Sequence, residues 1–173
     1  MMKQGALEIQ ALSKDRQQQP DSQRFLKFPL SKRVNGLLPL TQLQGVVNVA
    51  IKNILPVPQV SEYLLGIMNW RGEAIWILDL ARILGAKHWY RKEIISNSGT
   101  AMLFELEEQT VGLLVERVST IETYDLEQQL KPASMLPERL RPFLLGYFID
   151  STGSPLILLD INGVIAILKT AIR

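Results

Sequence analysis

The residues best suited to recognition chemistry lie in one short polar stretch, Asn69-Trp70-Arg71-Gly72. An arginine guanidinium presents a planar fork of donors that can hold a carboxylate or backbone carbonyls in a bidentate arrangement, which lysine cannot reproduce. Asparagine and glycine suit the backbone of a turn, so Arg71 is the member that the fold does not require. Arg71 therefore either ties two turns of its own domain together or recognises a partner.

The segment around this turn occurs twice in the chain. YLLGIMNWRGEAIWILDLARIL at 63–84 is echoed by FLLGYFIDSTGSPLILLDINGVI at 143–165. The second copy has Ser151-Thr152 at the matching turn, so the fold tolerates the loss of the arginine. This difference favours a binding role for Asn69, Arg71 and Gly72. The positions that both copies share, and that we expect to support the fold, are Gly66, Asp79, Gly146 and Asp160.

The sequence offers no set of side chains for catalysis. His88 is the single histidine and there is no cysteine, which excludes a Cys- or His-rich metal site, a Cys–His pair and a Ser-His-Asp triad. Phosphate-binding glycine motifs are also absent. Asp79 and Asp160 could form a carboxylate pair, but each stands where a helix should begin, and we expect them to be N-caps. We predict no catalytic residue, no metal and no cofactor.

A different class of function, nucleic-acid binding, would use the basic segment 87–92. Trp89, Tyr90 and Arg91 could stack on and neutralise a single strand. The formal net charge is only +2, however, which gives no general electrostatic footprint for nucleic acid. We favour an exposed connector that includes His88, and keep a nucleic-acid-binding β-barrel as the alternative function.

Composition predicts a soluble cytoplasmic protein with one domain. An apolar content of 47% is ample for a core, yet no run approaches the ~20 residues that span a bilayer. The start of the chain lacks the apolar region of a signal peptide, and the lack of cysteine fits a reducing compartment. Residues 1–24 are polar and are predicted to be a flexible tail, followed by a single domain over 25–173.

Short strands separated by turn signals dominate that domain. The predicted strands are 25–30, 37–47, 65–68 and 74–78 in the first half, and 101–106, 111–118, 144–149 and 156–159 in the second. Asn35-Gly36 is typical of a hairpin turn, and Pro39 or Gly45 should kink the second strand. Helices should follow Asp79 over 80–84 and Asp160 over 161–172, the second capped by Asp160 or Asn162. The pattern predicts an all-β fold of two small antiparallel barrels that bury their apolar faces against each other.

In combination, several of these motifs resemble the CheW-like family of bacterial chemotaxis adaptors. The motifs are Pro56-Val57-Pro58, the segment 63–72 and the segment 75–80, and the resemblance runs from about Phe25 to Leu168. It implies two SH3-like five-stranded β-barrel subdomains with pseudo-twofold duplication, and no enzymatic activity.

The resemblance also implies partners. They are the cytoplasmic tip of a methyl-accepting chemotaxis receptor, held in the groove between the halves, and the regulatory domain of a CheA-type histidine kinase, held by barrel-to-barrel packing. The pathway would be chemotaxis, phototaxis or pilus motility, with neither nucleic acid nor direct membrane insertion. By position, Arg71 is the receptor-side polar residue. Family members often pair this arginine with a glutamate where the present sequence has Gly45, which leaves Glu62 or Glu73 as the predicted counter-charge.

Overall fold

The computed structural model describes residues 21–85, 98–131 and 138–171. Within these ranges the strands are β1 (Ser22–Pro29), β2 (Asn35–Pro39), β3 (Gly45–Ala50), β4 (Leu64–Trp70), β5 (Glu73–Asp79), β6 (Ser98–Leu106), β7 (Gln109–Val115), β8 (Ile121–Asp125), β9 (Leu144–Ile149) and β10 (Pro155–Leu159). The helices are α1 (Leu80–Ile83) and α2 (Ile161–Ala171), with 3-10 turns at Leu40–Gln42, Ile51–Asn53, Leu126–Gln128 and Glu138–Phe143. Of the predicted tail, residues 1–20 lie outside the described residues and residues 22–24 belong to β1.

The strands form two five-stranded mixed sheets that are half-barrels. Sheet I has the order β8-β1-β2-β10-β9, and sheet II has the order β3-β6-β7-β5-β4. The strands β1 to β5 of the first repeat correspond in order to β6 to β10 of the second. Exchanging each strand for its counterpart converts one sheet order into the other, so the two repeats are related by a pseudo-twofold axis. Two pairs, β2 with β10 and β5 with β7, are parallel. The prediction of purely antiparallel barrels is wrong here, because both pairs join strands of different repeats that no hairpin connects.

The two repeats exchange strands. Sheet I combines β1 and β2 with β8, β9 and β10, whereas sheet II combines β3, β4 and β5 with β6 and β7. The predicted strand 37–47 is accordingly divided between the sheets: Pro39 ends β2 and Gly45 begins β3. These are the two residues at which a kink was predicted, and the 3-10 turn between them carries the chain across.

An additional backbone bridge curls each sheet into its half-barrel. Leu55, after β3, pairs with Ile67 of β4, and Leu130, after β8, pairs with Tyr147 of β9. The crossing chain runs against a glycine in both repeats. A Cβ atom on Gly66 would lie 2.0 Å from the Leu55 carbonyl oxygen, and one on Gly146 would lie 2.5 Å from that of Leu130. The repeated glycine therefore makes room for the bridge.

The apolar faces of the two sheets meet in a shared core. It contains Leu26, Phe28 and Leu38 from sheet I, Leu78, Met102, Phe104 and Leu113 from sheet II, and Ile161, Val164 and Leu168 from α2. A separate cluster fills the interior of sheet II. The strand β5 serves both, because Leu78 and Trp76 pack in the shared core while Ile75 and Ile77 pack in the interior cluster. The prediction that this strand is buried on both faces is confirmed.

The hairpin of β1 and β2 forms, but its turn is displaced from the predicted one. The chain reverses over residues 30–34, where the Leu30 amide donates to the Val34 carbonyl at 2.9 Å. Asn35 and Gly36 already belong to β2, and Gly36 pairs with Phe28. A Cβ atom on Gly36 would lie 2.6 Å from the Phe28 ring. Gly36 thus makes room for an aromatic side chain instead of forming the turn.

Candidate functional site

Arg71 lies at the tip of the hairpin formed by β4 and β5. Trp70 pairs with Glu73 across the ladder, which leaves Arg71-Gly72 as a two-residue turn. The φ angles of these residues are 52° and 88°, a combination typical of a type I′ hairpin turn. The Asn69 side-chain Oδ1 accepts a hydrogen bond from the Gly72 amide at 3.3 Å. Asn69 and Gly72 therefore shape the turn, and Arg71 occupies an exposed corner of it.

The Arg71 guanidinium lies over an aromatic ring. Its Cζ atom lies 4.8 Å from the centroid of the Trp70 ring, within the range of a cation–π interaction. Trp70 is half-buried and packs against the interior cluster of sheet II, which includes Met68 and Ile75. The indole thus contacts both the core and the arginine.

The counter-charges expected for Arg71 are placed elsewhere. Glu62 pairs instead with Arg82, with 2.5 Å between the carboxylate Oε2 and the guanidinium Nη1, so that prediction is wrong. Glu73 is exposed, and the described part of the chain contains no ion pair between it and Arg71. Gly45 begins β3 with open space around its Cβ position. Arg71 is therefore an exposed cation that no carboxylate among the described residues neutralises.

The matching turn of the second repeat is organised around a carboxylate. Asp150 Oδ1 accepts hydrogen bonds from the Thr152 hydroxyl at 2.6 Å, the Thr152 amide at 2.8 Å and the Ser154 amide at 2.9 Å. The hydrogen bond from the Thr152 side chain and those from the backbone hold the pKa of Asp150 below its ordinary value. The Asp150 carboxylate is therefore hydrogen-bonded within its own turn, whereas the Arg71 guanidinium is exposed at the tip of its turn.

Exposed apolar side chains recur at matched places in the two repeats. Leu55 is 63% exposed and Leu130, its counterpart, is 44% exposed. Further exposed apolar residues are Val46 at the start of β3, Ile121 at the start of β8, and Leu145 and Ile149 on β9. The sequence pattern did not predict this surface. It does hold a signal, because Leu40-x-x-Leu43-x-x-Val46 before β4 is echoed by Val115-x-x-Val118-x-x-Ile121 before β9, and each pattern ends on an exposed residue.

Asp79 and Asp160 are helix caps, as predicted. Asp79 is fully buried, and its Oδ1 accepts a hydrogen bond from the Arg82 amide at 3.3 Å at the start of α1. Asp160 Oδ1 accepts one from the Asn162 amide at 2.9 Å at the start of α2. Each carboxylate satisfies an N–H group that the first helical turn leaves unpaired.

In the described ranges, no group of three or more His, Asp or Glu side chains is arranged to hold a metal ion, and no helix is both long enough and apolar enough to cross a bilayer. The segment 87–92, with His88, Trp89, Tyr90 and Arg91, lies outside the described residues. The nucleic-acid alternative that depended on it stays a prediction.

A family model described as the CheW-like domain matches residues 24–169. The chain belongs to the CheW-like family. CheW-like scaffolding proteins are non-enzymatic adaptors of chemotaxis signal transduction, and this chain is one of them. The resemblance stated from the motifs is thereby confirmed, together with the absence of enzymatic activity that it implied.

A solved structure similar to this CheW-like chain is that of the scaffolding protein TtCheW from Thermoanaerobacter tengcongensis. The two share 22% sequence identity and superpose with a TM-score of 0.66, over 80% of this chain and 88% of that one. The similarity concerns the fold. No curated protein matches the chain in a direct sequence comparison.

Proposed function

We propose that this CheW-like protein is a cytoplasmic adaptor, with residues 25–173 acting as one domain. It couples the cytoplasmic tip of a methyl-accepting receptor to the regulatory domain of a CheA-type histidine kinase, in a chemotaxis, phototaxis or pilus-motility system. The observation that carries the proposal is the match to the family over 24–169. The interleaved strands of sheets I and II support the single domain, because neither sheet is made from one repeat alone.

The receptor contact is assigned to the exposed turn of the first repeat. Arg71 is the binding residue, and Asn69 and Gly72 hold the turn in its conformation. Gly66 and Gly146 support the fold that carries the turn, since they admit the bridges that close both half-barrels. Asp79 and Asp160 support it by fixing the helices that follow β5 and β10.

The kinase contact is assigned to the exposed apolar residues at the sheet edges. A barrel of the kinase regulatory domain would cover Leu55 in the first repeat, or Leu130, Leu145 and Ile149 in the second. Removing such side chains from water is favourable at about 25 cal/mol per Å² of apolar area, whereas hydrogen bonds at an interface mainly fix the orientation of the partners. The two repeats offer two such edges, which suits a protein that joins more than one partner.

The receptor assignment is tested by the Arg71→Ala variant. Because the side chain is exposed, we expect its thermal unfolding midpoint to stay within a few degrees of the wild-type value. Co-sedimentation with receptor-containing membranes should weaken by roughly tenfold, the loss typical of one charged hydrogen-bonded contact. The matched control is Arg33→Ala, which removes an exposed arginine from the turn between β1 and β2. Receptor binding that is equal for both variants would remove Arg71 from the site.

A further inference from the structure

Trp70 provides a fixed platform for Arg71. The indole packs against the interior cluster of sheet II together with Ile51 and Leu65, so its orientation is set by the fold. The Arg71 Cζ atom lies 4.8 Å from the ring centroid, where the negative face of the indole attracts the guanidinium. A guanidinium held over an aromatic face can still donate hydrogen bonds from its N–H groups to a partner.

The backbone beneath the side chain is equally constrained. Arg71 has a φ of 52° in a turn of two residues, and the flanking ladder pairs Trp70 with Glu73 and Asn69 with Ala74. A residue with a Cβ atom is disfavoured in this left-handed region. The turn therefore fixes the point at which the Arg71 side chain leaves the backbone.

None of the ion pairs among the described residues involves the Arg71 guanidinium, which leaves it available to a partner. Glu62 is engaged by Arg82, and Glu105 accepts a hydrogen bond from Gln44, the residue before Gly45, at 2.9 Å. In the second repeat the Asp150 carboxylate is satisfied by its own turn. Among the described residues, none supplies a carboxylate to the Arg71 fork.

We infer that Trp70 is the positioning residue of the receptor-side contact, and that the group bound by Arg71 is a carboxylate of an Asp or Glu side chain on the partner. This inference rests on the adaptor function proposed above. Two parallel N–H···O bonds from the edge of a stacked guanidinium match the geometry of a carboxylate. A guanidinium that is already oriented also loses less rotational freedom when the partner binds.

Two substitutions of Trp70 separate stacking from packing. Trp70→Leu keeps an apolar side chain against the interior cluster but removes the aromatic face, whereas Trp70→Phe keeps such a face. Binding would be measured with the cytoplasmic hairpin tip of a methyl-accepting receptor from the same genome. We expect Trp70→Leu to weaken binding roughly three- to tenfold, and Trp70→Phe to recover most of that loss. Thermal unfolding of each variant shows whether the fold is retained.

The bound group is identified by a double-mutant cycle. Each Asp or Glu of the receptor tip is changed singly to its amide and tested against wild type and Arg71→Gln. One amide variant should weaken binding to the wild-type adaptor yet cause no further loss with Arg71→Gln. Arg33→Gln should leave every affinity unchanged.

Several outcomes would overturn the inference. If both Trp70 variants bind as wild type does while Arg71→Gln is weakened, Trp70 is not a positioning residue. If Trp70→Phe is weakened as much as Trp70→Leu, the contribution of Trp70 is packing and not stacking. If no acidic residue of the receptor tip couples to Arg71, the bound group is not a carboxylate and backbone carbonyls take its place. A wild-type protein that fails to bind the receptor tip would instead contradict the proposed function itself.

Discussion

Gly72 and Arg71 share the left-handed backbone region, but only the glycine occupies it without strain. The φ of Gly72 is 88°, and a Cβ atom there would meet nothing within 4 Å. Conformation and not space therefore makes glycine necessary at this corner. The same geometry disfavours Arg71, as it disfavours Glu107 and Glu108 in the turn between β6 and β7.

Two glycine substitutions test that reasoning at the residue scale. Gly72→Ala should lower the free energy of unfolding by about 1 to 2 kcal/mol, because alanine is forced into the left-handed region. Gly45→Ala is the matched control: its Cβ also meets open space, but its φ lies outside that region. We expect Gly45→Ala to be neutral or slightly stabilising, since alanine restricts the unfolded chain. Denaturant unfolding measures both free energies, and equal effects would mean that Gly72 does not occupy the left-handed region.

Among the secondary-structure elements, β8 is held to β1 by a network of partly buried hydrogen bonds. Lys27 of β1 pairs with Glu122 of β8 at 3.0 Å, and the Tyr124 hydroxyl and the Thr120 hydroxyl also donate to Glu122. Burial raises the pKa of Glu122, but the hydrogen bonds from Tyr124, Lys27 and Thr120 outweigh it and leave the pKa lowered. The ionised carboxylate is therefore more stable in the folded protein than in the unfolded chain.

This network predicts a pH-dependent contribution to stability. The pKa of Glu122 is lower in the folded protein than its value of about 4.5 in the unfolded chain. The ionised carboxylate therefore stabilises the fold at pH values above 4.5, and this stabilisation is lost as the pH falls through the folded pKa. Glu122→Gln should therefore cost ~1 kcal/mol at neutral pH, a figure reduced for the partly exposed side chain. Its unfolding free energy should converge on that of wild type in acid. A difference that persists unchanged in acid would show that the charge of Glu122 is not the cause.

Sequence pattern predicted elements well where the signal is local. The caps Asp79 and Asp160, the helix α2 and the doubly buried strand β5 all follow from residue spacing, and each is present. The pairing of β2 with β10 could not be predicted, because it joins distant strands of different repeats and depends on how the shared core packs. The hairpin turn was mispredicted at Asn35-Gly36 because Gly36 lies in β2, where the absence of a Cβ atom makes room for the Phe28 ring.

The site was predicted to a similar extent. The turn at Asn69, Arg71 and Gly72 follows from the residue types and from comparison of the two copies. The role of Trp70 does not, since an aromatic residue in a strand pattern is normally interpreted as core, and here it both packs on the core and carries Arg71. The prediction of Glu62 as the counter-charge failed because Glu62 pairs with Arg82 at the base of the hairpin formed by β4 and β5, at the opposite end from Arg71. The spacing of residues along the chain does not reveal that contact.

At the scale of the whole molecule, the exchanged strands make one body from two repeats that differ at their surfaces. The first repeat presents an outward cation at Arg71, whereas the second satisfies Asp150 within its own turn and exposes Leu145 and Ile149. A symmetric scaffold with unlike ends can hold unlike partners at once. We therefore propose that this CheW-like protein joins a receptor and a kinase in one complex.

Co-sedimentation of three components shows whether this complex forms. Receptor-containing membranes are mixed with the CheA-type kinase, with and without this protein, and the kinase in the pellet is measured. We expect the kinase to sediment strongly only when the adaptor is present, and we expect Arg71→Ala but not Arg33→Ala to reduce the amount in the pellet. If the pellet holds the same amount of kinase with and without the wild-type protein, the protein does not join the two partners.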